Sequence, residues 1–387
     1  MRSLNNKTVY LDHFASTPCD ERVVHAMLPY FVEEFANPSS FTHAPGISAL
    51  RTVESSREKI ANALGMKSRE IVFTGGATES NNLAILGLAT KAIRRHIVTS
   101  NIEHKSVLGP IDHLERNGFR VTRLTVNSKG ELDLDRYIEA IDDDTLLVSI
   151  QSANNEIGTI QDINTLVKIA HERGALFHCD AVQAFGKVRF DFSNVDLLSL
   201  SGHKIYGPKG IGLLALKGGP DKMAISSICF GGGQESGLRP GTLNVPLIVG
   251  FAYAAQLAIE QLDSIGTIEA IRDRFERMLV AMVPDVKLNG NPLNRLPGGS
   301  SITFDGIEAE SLLANLPEFA LSTGSACSGG AVTPSHVLEA IGLGRNESFG
   351  TLRVCFGRGN SMEDAERLAE KLVDSVHRIR KLNEILN

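Results

Sequence analysis

The sequence predicts an α/β chain: a large domain on a mostly parallel sheet, followed by a smaller C-terminal α/β domain. Three observations carry this. Short apolar runs alternate with helix-periodic segments through the middle of the chain, which means crossover connections and a sheet covered on both faces. The pattern then changes to a long helical stretch followed by fresh strand candidates. At 387 residues the chain also exceeds the size that a single hydrophobic core usually serves.

In order, residues 70–74, 96–99, 146–150, 176–179, 197–200 and 211–216 read as buried strands, being short, apolar and bounded by turn residues. Residues 81–92 and 164–173 carry helix periodicity between them. From 246 to 282 the pattern is helical, with a break expected around 264–266. Residues 300–304 and 352–356 then read as strands, and 362 to about 383 as an amphipathic helix. The boundary is placed near Leu262, so that 13–262 form the large domain, and 1–12 with 263–387 the small one.

Composition narrows the function classes. With 42% hydrophobic and 22% charged residues the chain is neither disordered, coiled coil nor collagen. A net charge of -6, with 39 basic and 45 acidic residues interspersed, gives no field for direct nucleic-acid binding. Residues 1–10 lack the apolar core of a signal peptide and no stretch has the length of a membrane span, so a cytoplasmic, membrane-free protein is expected. Five cysteines without a CxxC pair, an HExxH or zinc spacing indicate no disulfide framework and no metal site.

Polar groups cluster after the strands. Gly75-Gly76-Ala77-Thr78-Glu79-Ser80 opens a helix, and Glu103-His104, Asn154-Asn155-Glu156, Asp180 with Gln183, and Ser201-Gly202-His203-Lys204 follow later strands. Open parallel sheets bind ligands at these carboxyl ends. The Gly75-Gly76 turn offers free N–H groups and a positive helix end to a phosphate, the alternative being an ordinary turn with Thr78 as N-cap. Asp180, ending an apolar strand, needs a partner such as a pyridinium nitrogen, or else a structural ion pair or cap. Taken alone, His104 reads as a satisfied core histidine. Lys204 follows a buried strand among small residues, where desolvation lowers an amine pKa and frees it as a Schiff-base nucleophile.

The cysteines divide by context. Cys229 and Cys355, each between apolar neighbours, read as small core hydrophobes. Cys179 lies inside a strand, and Cys19 has no evident partner. Cys327 stands in a run of small residues from Ser322 to Gly330 that buries little area, so an accessible, reactive thiol on a flexible arm is expected there.

With Lys204 and Cys327 in place, the chain resembles the cysteine desulfurases, in the NifS/IscS-like branch of the class V aminotransferase superfamily. The likeness runs from Tyr10-Leu11-Asp12 to the C-terminal helix through FTGGATESNN, NNEIG, HCDAVQ, SGHKIYGPKGIG, RPGTLN and STGSACSGG. The last motif separates this branch from the SufS-like branch, whose cysteine sits on a shorter segment. The resemblance implies fold type I of the transferases dependent on pyridoxal 5'-phosphate, with a seven-stranded sheet in the large domain, and a homodimer.

It also implies roles. Lys204 would hold pyridoxal 5'-phosphate through a Schiff base, Asp180 would pair with its ring nitrogen, Gln183 with its ring hydroxyl, and His104 would stack on the ring. Thr78 with the backbone at Ala77, Ser201, His203, and Thr242 from a second subunit would hold the phosphate. Asn155 and Arg353 would grip the substrate carboxylate, Arg353 by a two-pronged bond. Lys204 and His104 would move protons, and Cys327 would take sulfur from L-cysteine as a persulfide, releasing alanine. No metal is implied, although Cys327 could transiently ligate a nascent iron–sulfur cluster.

The sulfur would then pass to an acceptor protein, for iron–sulfur cluster assembly or another sulfur-transfer pathway. RPGTLNV and the short tail also resemble the sulfur donors of DNA phosphorothioation systems. A selenocysteine lyase or aminotransferase of the same fold, or a silent partner-binding subunit, are the alternatives. Departures from the family pattern are Gln234, Ser236 and Pro240, the segment Leu11-Asp12-His13-Phe14-Ala15-Ser16, and a chain that stops at Asn387 soon after its last helix. They bear on acceptor docking rather than on the core chemistry.

Overall fold

The computed structural model describes residues 8–323, 326–328 and 331–386, with side chains for 8–323 and 333–385. Its centre is a seven-stranded mixed sheet in the order Ile71–Thr74, Gly212–Leu216, Leu197–Ser201, Leu176–Asp180, Thr145–Ser149, His96–Ser100 and Arg120–Leu124. The last five run parallel, and Gly212–Leu216 is antiparallel to both its neighbours. Ile71–Thr74 therefore points the same way as the parallel strands. The chain leaves one sheet edge after Thr74, Ser100, Ser149, Asp180 and Ser201, which puts all five polar clusters along that edge.

Six of the seven strands agree with the apolar runs. The seventh, Arg120–Leu124, escapes the pattern because it lies at the sheet margin with its arginines in or near solvent, so it forms no buried apolar run. On one face the helices Ala44–Leu64 and Val245–Glu260 pack together over Phe73, Val148, Phe177 and Leu213. On the other face Leu83 and Leu88 of the helix Ala77–Ala89 meet Val107 and Ile111 of Lys105–Arg116. The helical stretch after 245 breaks earlier than expected, at a 3₁₀ turn over Leu262–Ser264, and resumes as Ile265–Met282.

A separate core joins Phe275 and Leu279 to Ile302, Phe304, Leu352, Val354, Leu368 and Leu372, with Leu11 from the N-terminal segment. It lies under the antiparallel sheet Ser322–Thr323, Thr351–Cys355, Gly299–Phe304, Val286–Asn289. Val9–Tyr10 pairs with Phe319–Ala320, so the start of the chain is tied to this unit. The helix Met362–Leu386 covers it. Cys327 lies on the strand Ala326–Ser328, opposite Val332, and its side chain is outside the described residues.

Two expectations are corrected. Cys229 is exposed rather than packed, because the 225–234 segment forms turns with no neighbouring strand, and Phe230 beside it is 90% exposed. The helix after the Gly75-Gly76 turn begins at Ala77 with Gly76 as N-cap, so Thr78 belongs to the first turn and caps nothing. Cys179 and Cys355 are buried as expected, and Cys19 is partly buried.

One buried ion pair ties the 227–244 loop to the scaffold. Arg57 forks onto Glu235 at 2.7 and 2.8 Å, and Glu235 also accepts the Phe73 N–H at 2.7 Å. Their side chains are 10% and 1% exposed, so removing either partner strands a buried charge. Arg57→Met is expected to destabilise the fold by about 3 kcal/mol in urea unfolding. Arg57→Met with Glu235→Leu should recover part of that loss.

Candidate active site

The polar edge of the sheet opens into a cavity of about 1090 Å³, lined by residues from every one of the five clusters. At one end lies the Gly75-Gly76 turn, shaped by two glycines. Gly76 has φ +148°, a conformation closed to most side chains, and a Cβ on Gly212 would stand 2.7 Å from the Gly76 Cα. The backbone of the next strand therefore backs directly onto the turn. Ala77, Thr78, Ser201 and His203 line this end. Burial, with the positive charges of Lys204, Lys209 and Lys187, drops His203 to about 4, so its imidazole is neutral near pH 7.

Lys204 lies in a 3₁₀ turn directly after Leu197–Ser201. Its Nζ donates to the backbone carbonyls of Phe14 at 2.5 Å and Ala15 at 2.9 Å, and no carboxylate pairs with it among the described residues. The turn is anchored from the N-terminal segment, where Thr17 Oγ1 donates to the His203 carbonyl and accepts the Tyr206 N–H. Burial, reinforced by nearby Arg353 and opposed by Asp180, brings the amine down to about 8. An appreciable fraction is then unprotonated, and nucleophilic, at neutral pH.

Asp180 ends its strand in a buried position, 7% exposed, and has no cation bonded to it among the described residues. Val182 N–H donates to Oδ1 at 3.1 Å and Asn81 Nδ2 to Oδ2 at 2.8 Å. The second Asn81 Nδ2 proton goes to Ser106 Oγ at 2.8 Å, which lies 2.7 Å from His104 Nδ1. Ser106 N–H also donates to that Nδ1 at 3.1 Å. Nδ1 is therefore an acceptor, and the neutral ring carries its proton on Nε2. Burial is the main cause that lowers the His104 pKa. One asparagine thus links the carboxylate and the imidazole.

Gln183 lines the same cavity, its Nε2 donating to the Phe14 carbonyl and its Oε1 accepting from Lys187 Nζ. Arg353 enters from the antiparallel sheet, with Nη1 donating to the Asn155 carbonyl and Nη2 to Asp12 and Ser322. Its buried Nε has no hydrogen-bond partner among the described residues, and the side chain lines the cavity. Asn155 lines the wall beside it. Thr242 is exposed and outside this cavity in its own chain.

The geometry adds groups that sequence reasoning did not select. Phe14 and Ala15 act through backbone carbonyls, which no side chain advertises. Asn81 and Ser106 lie inside or at the start of helices, where buried polar side chains stand among apolar neighbours. Lys187, four residues beyond Gln183, is pushed down to about 7 by burial and by Lys204.

Comparison with known proteins places this site. The model of the class-V aminotransferase family matches residues 9–368. Cysteine desulfurase IscS of Anaeromyxobacter sp. (strain Fw109-5) is 42% identical over 97% of this chain and 94% of its own length. A solved NifS-like protein superposes with a TM-score of 0.88 at 35% identity, over 95% of this chain and 98% of that one. SspA in complex with cysteine superposes at 0.79 with 40% identity, over 90% and 99%. With its site on the carboxyl edge of the same sheet, the chain belongs to the class-V aminotransferase family of pyridoxal-phosphate-dependent enzymes and is, within it, a cysteine desulfurase.

Proposed function

We propose that this enzyme uses pyridoxal 5'-phosphate on Lys204 to pass the sulfur of L-cysteine to Cys327, and from there to an acceptor protein. The observation that carries the reading is the Lys204 amine, held by carbonyls alone in a cavity that also contains Asp180, the Gly75-Gly76 turn and Arg353. That donor set fits an aldehyde, a pyridine nitrogen, a phosphate and a carboxylate. Ala77, Thr78, Ser201 and His203, with Thr242 of a second subunit, would receive the phosphate. Asp180 would meet the ring nitrogen, Gln183 the ring hydroxyl, and His104 the ring face.

Bound there, the cofactor supplies a carbonyl for the substrate amine and a cationic ring that withdraws electrons from the substrate carbons. The protein does the rest. Arg353 and Asn155 orient the substrate carboxylate. Asp180, fixed by Asn81 and Val182, keeps negative charge where the ring nitrogen needs it. Lys204, partly unprotonated at neutral pH, takes the α-proton. His104 handles the substrate thiol proton through Nε2, because Nδ1 is occupied by Ser106.

Cys327, as thiolate, forms an S–S bond to the substrate sulfur while the substrate C–S bond breaks. The bond pair stays with the three-carbon fragment, which is protonated and leaves as alanine. The net change is L-cysteine plus the Cys327 thiol to L-alanine plus the Cys327 persulfide. Relatives named IscS support an iron–sulfur assembly partner as acceptor. A homodimer is supported by apolar side chains left in solvent at Phe31, Val32, Phe35, Phe41 and Phe230. Two domains, 13–262 and the remainder, are supported by the separate cores. No single helix among the described residues is long and apolar enough to cross a membrane.

Three outcomes test the reading. Cys327→Ala should keep the yellow absorbance of the cofactor yet lose sulfide and alanine production from L-cysteine; full retained activity would refute the persulfide role. Reconstitution of apoenzyme with pyridoxal 5'-phosphate requires the neutral Lys204 amine. Its rate should therefore rise with pH and level off above about 8, where an ordinary lysine would still be climbing. Asn81→Ala should cut turnover by about ten- to a hundredfold, the worth of a buried bond to a charged group, while cofactor content is retained.

A further inference from the structure

The turn proposed to receive the phosphate is not purely electropositive. Glu79, in the first turn of the helix Ala77–Ala89, folds back so that its Oε2 accepts the Gly75 N–H at 2.6 Å. It lines the same cavity end as Ala77 and Thr78. A carboxylate there consumes one backbone donor of the turn and places a full negative charge beside an anion site. Arg239 answers it: its Nε donates to Glu79 Oε1 at 2.9 Å. The guanidinium also approaches the turn itself, with Nη2 3.8 Å from the position a Gly75 Cβ would take.

Arg239 is placed by the loop that carries it. Glu235 is locked to Arg57 and to the Phe73 backbone, the Leu238 carbonyl accepts from Ser227 Oγ, and Gln234 Oε1 accepts the Gly241 N–H. The backbone around Arg239 is thus pinned on both sides. Two positive-φ residues, Glu235 and Ser236, provide the sharp bend. Gln234 and Ser236 depart from the family's usual residues, yet the bend and its anchors are intact.

We propose that Arg239 is a positioning residue for the cofactor phosphate, holding Glu79 on the Gly75 N–H and cancelling its charge. Resting on the pyridoxal-phosphate reading above, this assigns the 227–244 loop a task within its own subunit. The loop that bears Thr242 also sets the geometry and charge of the phosphate turn across the cavity mouth. A phosphate arriving there meets a neutral Glu79–Arg239 pair. Without Arg239 it would meet a bare carboxylate that is free to leave Gly75. Both side chains are about one-third exposed, so solvent screens the effect and it falls short of that of a buried pair.

The test compares two ligands, pyridoxal 5'-phosphate and pyridoxal, which differ only in the phosphate. Dissociation constants are measured by absorbance on the full-length protein stripped of cofactor. Arg239→Gln should weaken pyridoxal 5'-phosphate by about tenfold and leave pyridoxal within about twofold. Glu79→Gln in the Arg239→Gln background should restore most of the lost affinity, and Arg239→Lys should keep a part of it. Equal weakening of both ligands, or no rescue by Glu79→Gln, would show general loop damage and overturn the proposal. Variants that bind like wild type would overturn it while leaving the cofactor reading intact. Failure of the wild-type protein to bind pyridoxal 5'-phosphate would remove that reading first.

Discussion

Everything in this molecule is arranged around an amine that has lost its water without gaining a carboxylate. Lys204 Nζ is held by two backbone carbonyls, which accept hydrogen bonds without the full charge that would lock the amine as a cation. An aspartate in the same place would hold the proton and abolish nucleophilicity. Asp180, which lines the same cavity, is instead spent on Asn81 and on a backbone N–H. One cavity therefore holds a partly unprotonated amine and a carboxylate that are not bonded to each other.

That separation depends on long-range construction. The carbonyls of Phe14 and Ala15 belong to the N-terminal segment, about 190 residues away in sequence from the lysine they hold. The same segment pairs with the second unit through Val9–Tyr10 and reaches Arg353 through Asp12. One short stretch therefore links the lysine turn, Arg353 and the smaller core. Displacing it would disturb the amine, the Arg353 side chain and the packing together.

Much of this was legible beforehand because parallel sheets leave a simple signature. Buried strands are continuous apolar runs, and ligands collect where those runs end, so the clusters at Gly75-Gly76, His104, Asn155, Asp180 and Lys204 could be placed on one edge. What escaped the sequence was of three kinds. Marginal strands such as Arg120–Leu124 carry charge and lack the run. Backbone acceptors such as Phe14 have no side-chain signal. Pairs such as Asn81 with Asp180, or Arg239 with Glu79, join residues about a hundred or more positions apart, and no local pattern encodes their meeting. Cys229 was misplaced for a related reason: an apolar neighbourhood in sequence becomes a buried one only where another element arrives to cover it.

The cysteines show how the same physics protects the reaction. On the proposed persulfide route one thiol must react while buried thiols elsewhere in the chain must not. Cys355 lies beside the site, within the influence of Arg353, Asp12 and Lys187, yet burial pushes it up to about 12 against the pull of the nearby cations. Cys179, one residue from Asp180, is raised well above its usual value by burial and by that carboxylate. Both stay protonated across the neutral range in which Lys204 begins to release its proton. Thiolate chemistry is therefore denied to the two buried cysteines, and the one assigned the sulfur is carried on a separate two-stranded sheet. Burial that frees an amine silences a thiol, because in both cases the low dielectric favours the neutral form.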